Sequence, residues 1–291
     1  SRRVIPAIEW EKTLKGNGAE VAKMVEKGKS AFTGPELMGK TLGVIGLGAI
    51  GIGVANTAKS LGMEVYGYDP YLSVDAAWHL SRSIKHSSNL DEIFANCDYI
   101  TVHVPLTDET RDMISAKTIA GMKDGVRILN FARGDLVNTA DIIAALSTGK
   151  VAAYVTDFAN DELLDVEGVI AIPHLGASTP EAEDNCASMA AGELIDYLEN
   201  GNIVNSVNMP AVSCHRTEGA RICVIHKNNP GMINKLSALF SSKNINIENM
   251  LNKSKKDYAY TLIDVAEKEI DESIVDGIKN VEGTIRVRVI K

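Results

Sequence analysis

The sequence predicts an α/β protein with a doubly wound parallel sheet, followed by a second, smaller unit of alternating strands and helices. Three observations predict this. An apolar strand runs into a glycine turn and a helix at residues 43–51. Apolar strands then alternate with amphipathic helices to about residue 178. After residue 219 the predicted order changes to βαββαβ, so the 291 residues are expected to form more than one domain.

The glycine turn has the pattern Gly-x-Gly-x-x-Gly between residues 46 and 51. In this pattern Gly46 permits the tight turn, Gly48 lets a pyrophosphate approach the backbone, and Gly51 lets the helix pack closely. The free N–H groups at the start of the helix favour phosphate. The turn therefore predicts a dinucleotide site in a Rossmann-type fold.

Asp69 ends the next predicted strand, eighteen residues after Gly51. A carboxylate there can accept hydrogen bonds from the adenosine ribose and would repel a 2′-phosphate. No arginine follows in residues 70–72. The predicted cofactor is therefore NAD and not NADP, although Asp69 could instead only cap the strand end.

The remaining elements of this half follow in order. A short helix is expected to begin at Ser88 or Asn89, and another to span Thr110 to Gly121. Asn138-Thr139 opens a third helix, with apolar side chains on one face. Further strands are predicted at residues 99–103, 126–130, 151–155 and 169–172, which gives six strands in the sheet.

A long amphipathic helix is predicted to start at Thr179-Pro180 and to end at Asn200-Gly201. A polar linker follows at residues 202–220. From Arg221 to Lys291 the pattern reads strand, helix, two strands around the turn 254–257, helix and strand. This order is typical of a ferredoxin-like fold.

Composition limits the classes of partner. The chain is 45% hydrophobic and 23% charged, as in ordinary globular proteins, and its net charge of -8 argues against nucleic acid or an anionic membrane. The four cysteines form no Cys-x-x-Cys pair, and there is no signal peptide or twenty-residue apolar run. We therefore expect a cytoplasmic chain with reduced thiols and no metal site. Because it opens with Ser1 and no Met, we also expect it to be a piece of a longer protein.

Three candidate catalytic residues follow strands of the sheet. Arg133 follows the strand that ends at Asn130, Glu162 comes five residues after Asp157, and His174 follows the sixth strand. Ligands of open α/β sheets bind beyond these carboxyl ends. Arginine can hold a carboxylate, and a histidine oriented by Glu162 can accept the proton of a hydroxyl. The set suits hydride transfer from a 2-hydroxy acid, although each residue could also be only solvated or structural.

Five motifs together resemble the D-2-hydroxyacid dehydrogenase family. They are Gly46-Leu-Gly-Ala-Ile-Gly51, Tyr68-Asp-Pro70, His103-Val-Pro-Leu-Thr107, Asn130-Phe-Ala-Arg-Gly134 and Pro173-His-Leu-Gly-Ala-Ser-Thr179. In addition, Ile225-His-Lys-Asn-Asn-Pro-Gly231 resembles the start of an ACT regulatory domain. The pairing is similar to dehydrogenases that oxidise 3-phosphoglycerate in serine synthesis.

The resemblance implies roles for individual residues. It implies that Arg133 binds the substrate carboxylate, that Glu162 partners His174, and that His174 is the acid/base. The implied cofactor contacts are Ala49 and Ile50 at the pyrophosphate, Asp69 at the ribose, Phe131, Ala132 and Arg133 beside the nicotinamide, and Asp157 and Gly176 near the carboxamide. Val104, Pro105 and His174 are also implied to contact the cofactor. Two departures stand out: Leu163 replaces the usual proline after the glutamate, and the family's N-terminal lobe, which supplies much of the substrate pocket, would precede Ser1.

The same resemblance implies a domain order. Residues 1–36 would form a helical dimerisation segment, 37–178 the NAD-binding domain, 179–201 a long helix returning to the substrate lobe, 202–218 a linker and 219–291 the ACT-like domain. A homodimer or homotetramer is expected.

Three polar residues are implied as effector ligands: His226, Asn228 and Asn246. The first two lie where a strand turns into a helix, whose N-terminus favours a carboxylate. Asn246 lies just before the next strand and could bind the amino or hydroxyl group from a second copy. The implied ligand is L-serine, whereas the alternative is that these residues only cap turns.

The sequence leaves three functions open. The first is a serine-regulated, NAD-dependent oxidation of 3-phosphoglycerate. The second is a dehydrogenase of another 2-hydroxy acid, of the glyoxylate or hydroxypyruvate type. The third is a protein that senses NAD or an amino acid without catalysis.

Overall fold

The computed structural model describes residues 1–291, apart from the side chain of Asp75. The chain divides into two compact units, Ser1–Leu175 and Gly176–Lys291. The first unit opens with a helical segment, and its predicted role in dimerisation stays a prediction. It contains α1 (Val4–Thr13) and α2 (Val21–Gly28), with 3-10 turns at Gly18–Glu20 and Lys29–Phe32. Trp10 packs against Phe32 with ring centroids 5.2 Å apart, so the segment folds back on itself.

The centre of the first unit is a seven-stranded parallel sheet, which confirms the doubly wound fold. Its strands are β1 (Thr41–Ile45), β2 (Glu64–Tyr68), β3 (Lys85–His86), β4 (Tyr99–Val102), β5 (Val126–Asn130), β6 (Val151–Thr156) and β7 (Val169–Ala171). The spatial order is β3-β2-β1-β4-β5-β6-β7. Six of these strands were predicted, whereas the two-residue β3 was not.

Helices connect these strands. They are α3 (Ala49–Ser60), α4 (Val74–Trp78), α5 (Leu90–Asn96), α6 (Ala116–Ala120) and α7 (Thr139–Ser147). Asn89, and not Ser88, caps α5 by accepting a hydrogen bond from the Glu92 N–H at 2.9 Å. Asn138 caps α7 in the same way, as its sequence position predicted.

The predicted helix from Thr110 to Gly121 is wrong over its first half, because only α6 forms. Asp112 has a left-handed φ of 52°, which a helix does not tolerate. Ile114 is fully buried and forms a parallel bridge with Val137. Tertiary pairing therefore replaces local helix formation in this segment.

Asp98 fixes the amino ends of two strands. Its carboxylate accepts a hydrogen bond from the Thr41 N–H at 2.9 Å and another from Lys123 at 3.0 Å. Burial alone would raise the pKa of Asp98, but these two hydrogen bonds, together with the positive charges of Lys123 and Lys40, hold the pKa below its ordinary value. The carboxylate is therefore stabilised in its charged form.

The second unit begins with α8 (Pro180–Asn200). Thr179 caps this helix and Gly201 ends it with a left-handed φ of 74°, both as predicted. The segment that follows is largely irregular, with a single bridge between Ile203 and Val212.

The rest of this unit has the predicted βαββαβ order. It consists of β8 (Arg221–Lys227), α9 (Met232–Ser242), β9 (Ile247–Lys255), β10 (Tyr258–Val265), α10 (Glu272–Lys279) and β11 (Thr284–Ile290). The antiparallel sheet has the order β11-β8-β10-β9. This arrangement confirms the ferredoxin-like fold and leaves β9 at one edge.

A buried ion pair ties the end of α8 to this sheet. Arg221 and Asp264, each 1% exposed, bond through Nε and Oδ1 at 2.6 Å. Arg221 also donates to the Asn200 carbonyl at 2.7 Å and to the His215 carbonyl at 2.9 Å. One buried guanidinium thus joins the sheet, the end of the long helix and the segment after it.

No helix among the described residues is long and apolar enough to cross a membrane.

Candidate functional site

The glycine turn between β1 and α3 has the geometry that a dinucleotide site requires. Gly46 has a φ of 93°, and a Cβ there would lie 2.5 Å from the His103 carbonyl oxygen. A Cβ on Gly51 would lie 1.9 Å from the Gly46 carbonyl oxygen. By contrast, a Cβ on Gly48 would meet nothing within 4 Å. Gly46 and Gly51 are thus required by the fold, whereas Gly48 borders open space at the helix start.

The N-terminus of α3 faces that open space. No side chain caps it, and Ala49 and Ile50 in its first turn are exposed, Ile50 to 71%. The first N–H groups of a helix have no partner within the helix and carry a partial positive charge. This end of α3 therefore fits a pyrophosphate.

Asp69 lies beside the turn, at the end of β2. One carboxylate oxygen accepts from the Leu47 N–H at 2.8 Å, and the other accepts from the Tyr71 N–H at 2.8 Å. Each carboxylate oxygen has a further lone pair, so the group can still accept hydrogen bonds from two ribose hydroxyls. The residues present therefore fit an adenosine dinucleotide.

The segment after β4 supports the other side of the turn. Val104 is half-buried under Gly46, whereas Pro105 is exposed and its carbonyl accepts from Thr110 Oγ1 at 2.7 Å. The His103 ring bonds Thr101 Oγ1 at 2.9 Å, and burial lowers the pKa of this histidine. A neutral His103 thus has a structural role here.

The loop after β5 presents Arg133. Phe131 and Ala132 are half-buried, and Arg133 is exposed with its guanidinium near its own loop, donating to the Ala132 carbonyl at 2.6 Å. The fully buried Asn130 holds this loop, since its side chain donates to the Arg133 carbonyl at 2.8 Å and accepts from the Ala132 N–H at 3.2 Å. Sequence reasoning missed this role of Asn130. The available signal was a polar residue at the end of an apolar strand.

His174 is paired with a carboxylate, but not with the one predicted. Its Nδ1 lies 2.8 Å from Oδ2 of Asp157, whose side chain is only 8% exposed. The Phe158 ring packs against the imidazole, with centroids 4.9 Å apart. Because Nδ1 donates to the carboxylate, Nε2 is the nitrogen left to exchange a proton, on a side chain that is 59% exposed.

The predicted contact between Glu162 and His174 is therefore not formed. Glu162 is exposed in the 3-10 turn Asp161–Leu163 and lines a neighbouring cleft of about 620 Å³ with Arg111, Asn138 and Asn160. Leu163, at the position where a proline was expected, is 3% exposed and belongs to the core. Burial of Leu163 fixes this turn and directs its polar residues to the cleft.

Asp157 also has a free acceptor. Its Oδ1 is buried and has no hydrogen-bond partner in the structure. A buried acceptor without a partner is costly, so this atom fits a donor supplied by a ligand, such as the carboxamide NH₂ of nicotinamide. Gly176, the other residue predicted near the carboxamide, lies in the second unit.

In the second unit a cavity of about 230 Å³ lies at the N-terminus of α9. Its lining includes His226 and Asn228, two of the three predicted effector ligands, together with Asn252, which the sequence analysis did not single out. Asn246 is not part of this lining. Tyr258 pairs with both Lys227 and Lys255, so the carboxyl ends of β8 and β9 lie together and Asn246 is at the opposite end of β9.

Profiles of two known families match this chain. The profile of the NAD-binding domain of D-isomer specific 2-hydroxyacid dehydrogenases matches residues 9–176. The chain belongs to this family. Its first unit is accordingly an NAD-binding domain of an enzyme family, which confirms the predicted cofactor. The profile of the AHAS small subunit-like ACT domain matches residues 222–286, so the second unit contains an ACT-like domain.

Individual relatives differ in how much of the chain they match. D-3-phosphoglycerate dehydrogenase of Haemophilus influenzae is 34% identical over 274 residues, which cover 90% of this chain and 65% of the relative. The enzyme of that name from Bacillus subtilis is 37% identical over 211 residues, 70% of this chain and 39% of the relative. This chain therefore spans less than two thirds of the length of either relative.

A solved structure of similar fold is a glyoxylate reductase from Paecilomyes thermophila. It has a TM-score of 0.55 and 28% identity, and the match covers 69% of this chain and 63% of that one. A D-lactate dehydrogenase from Aquifex aeolicus, in complex with NAD and lactic acid, has a TM-score of 0.52 and 30% identity over 64% of this chain and 61% of that one.

Proposed function

We propose that this protein carries out the NAD-dependent oxidation of 3-phosphoglycerate and that L-serine regulates it. The observation that carries the proposal is the presence, in one chain, of a D-2-hydroxyacid dehydrogenase unit and an ACT-like unit. The relative from Haemophilus influenzae, named for this activity, matches 90% of the chain. The glyoxylate reductase and D-lactate dehydrogenase structures match 69% and 64% of it.

In the proposed reaction Arg133 binds the substrate carboxylate, because its guanidinium is exposed and bonds only a loop carbonyl among the described contacts. The bond from Nδ1 to Asp157 fixes the tautomer of His174, so Nε2 accepts the proton of the substrate hydroxyl. Bound NAD would supply the hydride acceptor. Glu162 stays a candidate acid at the edge of the neighbouring cleft.

The proposed serine site needs two copies of the chain. His226 and Asn228 lie at the carboxyl ends of β8 and β9, whereas Asn246 lies at the amino end of β9. β9 is an edge strand, and antiparallel pairing of two copies along it would bring Asn246 of a second copy to the cavity. We therefore propose a homodimer, or a tetramer built from it.

The test is the rate of NADH oxidation by the full-length protein with 3-phosphohydroxypyruvate and, separately, with glyoxylate. We expect a clear preference for the phosphorylated substrate, inhibition by millimolar L-serine, and a loss of kcat on the order of a hundredfold in His174→Ala. A preference for glyoxylate would favour the second candidate, which the glyoxylate reductase fold supports. NADH binding without turnover of either substrate would favour a sensing protein.

A further inference from the structure

A line of hydrogen bonds joins the buried imidazole of His226 to the edge strand. His226, 2% exposed, bonds the Lys227 carbonyl through Nδ1 at 2.8 Å and Thr261 Oγ1 through Nε2 at 2.9 Å. Thr261 is fully buried and donates to Oδ1 of Asn252 at 2.8 Å. His226 and Asn252 both line the cavity at α9, so the two ends of this relay meet the same space.

In this relay, the hydrogen bonds from His226 through Thr261 to Asn252, the number of protons determines which atom donates in each bond. A carbonyl only accepts, so Nδ1 of His226 must carry a proton whatever the charge of the ring. If the ring is an imidazolium, Nε2 also donates, and the single Thr261 proton goes to the Asn252 oxygen. If the ring is neutral, Nε2 must accept, and the Thr261 proton goes to the ring instead.

The protonation state of His226 changes which group of the Asn252 amide faces the cavity. With the imidazolium, the Asn252 oxygen accepts from Thr261, which is the hydrogen bond in the structure, so the NH₂ is the group left to serve the cavity. With the neutral ring, Thr261 Oγ1 can only accept, so the amide rotates to donate its NH₂ and turns its oxygen to the cavity. One proton on His226 therefore exchanges a donor for an acceptor at the cavity wall.

We propose that Asn252 is a further ligand of the effector and that the protonation of His226, relayed by Thr261, decides whether the cavity offers its oxygen or its NH₂. The uncapped N-terminus of α9 favours the carboxylate of an amino acid at one side of the cavity. The Asn252 oxygen then accepts from the α-ammonium group only when His226 is neutral. The identity of the ligand rests on the proposed function, whereas the relay does not.

The hydrogen bonds of this relay are the main electrostatic interactions of the His226 ring. Both ring nitrogens bond neutral oxygens, and the cross-strand neighbours are Ala259 on β10 and Thr284 on β11. Asp264 on β10 forms its ion pair with Arg221. The exposed charged residues of the adjoining strands, helix and turns are Lys227, Lys235, Glu248, Lys253, Lys255, Lys256, Asp257, Glu282 and Arg286. Arg288 on β11 is half-buried and donates to the Tyr197 carbonyl.

The experiment is calorimetric titration of the full-length protein with L-serine between about pH 5.5 and pH 8, where serine stays a zwitterion and histidines titrate. We expect the affinity of the native protein to fall at least about tenfold toward the acid end, the effect of losing an acceptor for a charged group. Thr261→Val, which keeps the shape but cuts the relay, should bind with little pH dependence. Asn252→Ala, at an exposed edge position, should bind more weakly at pH 8 and also lose the pH dependence.

Two results would overturn the relay: pH-independent binding by the native protein, or an unchanged pH dependence in Thr261→Val. Nitrogen NMR of the ligand-free protein gives a second readout. The Asn252 side-chain amide should shift with the same midpoint as the His226 ring, and this coupling should disappear in Thr261→Val. If serine fails to bind at any pH while this coupling is present, the proposed effector is wrong and the relay stands; absence of the coupling refutes the relay.

Discussion

Gly46, Gly48 and Gly51 lie in one turn, and substitutions there distinguish the glycines that the fold requires from the one that the cofactor requires. Gly51→Ala places a Cβ 1.9 Å from the Gly46 carbonyl oxygen, so the turn or the start of α3 must shift by more than 1 Å to reach an ordinary contact. Overpacking of this kind costs roughly 1–3 kcal/mol. For a unit of this size that is a fall in Tm of about 3–10 °C. NADH binding should weaken with it, because the turn moves.

Gly48→Ala has a different expected result. The added Cβ meets nothing within 4 Å, and Gly48 has an ordinary φ of -74°, so the fold should keep its Tm. The methyl group would instead occupy the space where a pyrophosphate approaches the backbone. If the contact between this methyl group and the pyrophosphate costs about 1–3 kcal/mol of binding free energy, the Kd for NADH rises roughly tenfold to a hundredfold.

Gly53→Ala is the matched control within the same helix. A Cβ at this exposed position meets nothing within 4 Å, and alanine is the better helix former by about 1 kcal/mol. Its Tm should rise by about 2–4 °C with unchanged NADH affinity. Thermal unfolding and fluorescence titration with NADH measure both quantities for all three variants. Native NADH affinity in Gly48→Ala, or a native Tm in Gly51→Ala, would refute the assignment of this turn.

Three further perturbations test other residues of the first unit. Asp69→Ala should weaken NADH binding roughly tenfold or more and bring NADPH affinity closer to it, since it removes both the ribose acceptor and the repulsion of a 2′-phosphate; equal affinities for the two cofactors in the native protein would contradict this. Asp157→Asn should lower kcat more than Glu162→Gln, because Asp157 is the carboxylate on His174; steady-state kinetics that rank the two variants in the reverse order would restore Glu162 as the partner. Asp98→Asn should lower the free energy of unfolding by about 1–2 kcal/mol at pH 7. The pKa of Asp98 is depressed in the folded state, so the difference in unfolding free energy between the native protein and Asp98→Asn should be present at pH values above the unfolded pKa of about 3.9. The difference should disappear as the pH falls through the folded pKa, and urea titrations at several pH values would show this.

The elements that the sequence predicted well are those with a local physical signal. Thr179 followed by Pro180 favours a helix start, because the threonine side chain caps a free N–H group and the proline has no N–H to satisfy. Asn138 acts in the same way at α7. The order of six strands followed from apolar runs between such caps, and the parallel topology followed from the helices between them.

The elements that were missed depend on contacts distant in sequence. β3 has two residues, too few for any periodicity, and exists because it pairs with Tyr66 and Gly67 of β2. The segment near Ile114 has helical spacing but pairs with Val137 instead. Asn252 reaches the cavity at α9 only through the register of β9 on β10, which places it opposite Thr261. No local pattern marks any of these.

The pairing of His174 shows why spacing alone could not name its carboxylate. Asp157 and Glu162 both follow β6 closely, so either could reach a histidine at the end of the neighbouring β7. Burial separates them: Asp157 is 8% exposed beside the imidazole, whereas the buried Leu163 anchors the turn that carries Glu162 to the next cleft. A carboxylate with little solvent needs hydrogen-bond donors more than an exposed one does, so the histidine N–H goes to Asp157. Its second oxygen still lacks a donor, and the nicotinamide carboxamide is the group expected to supply one.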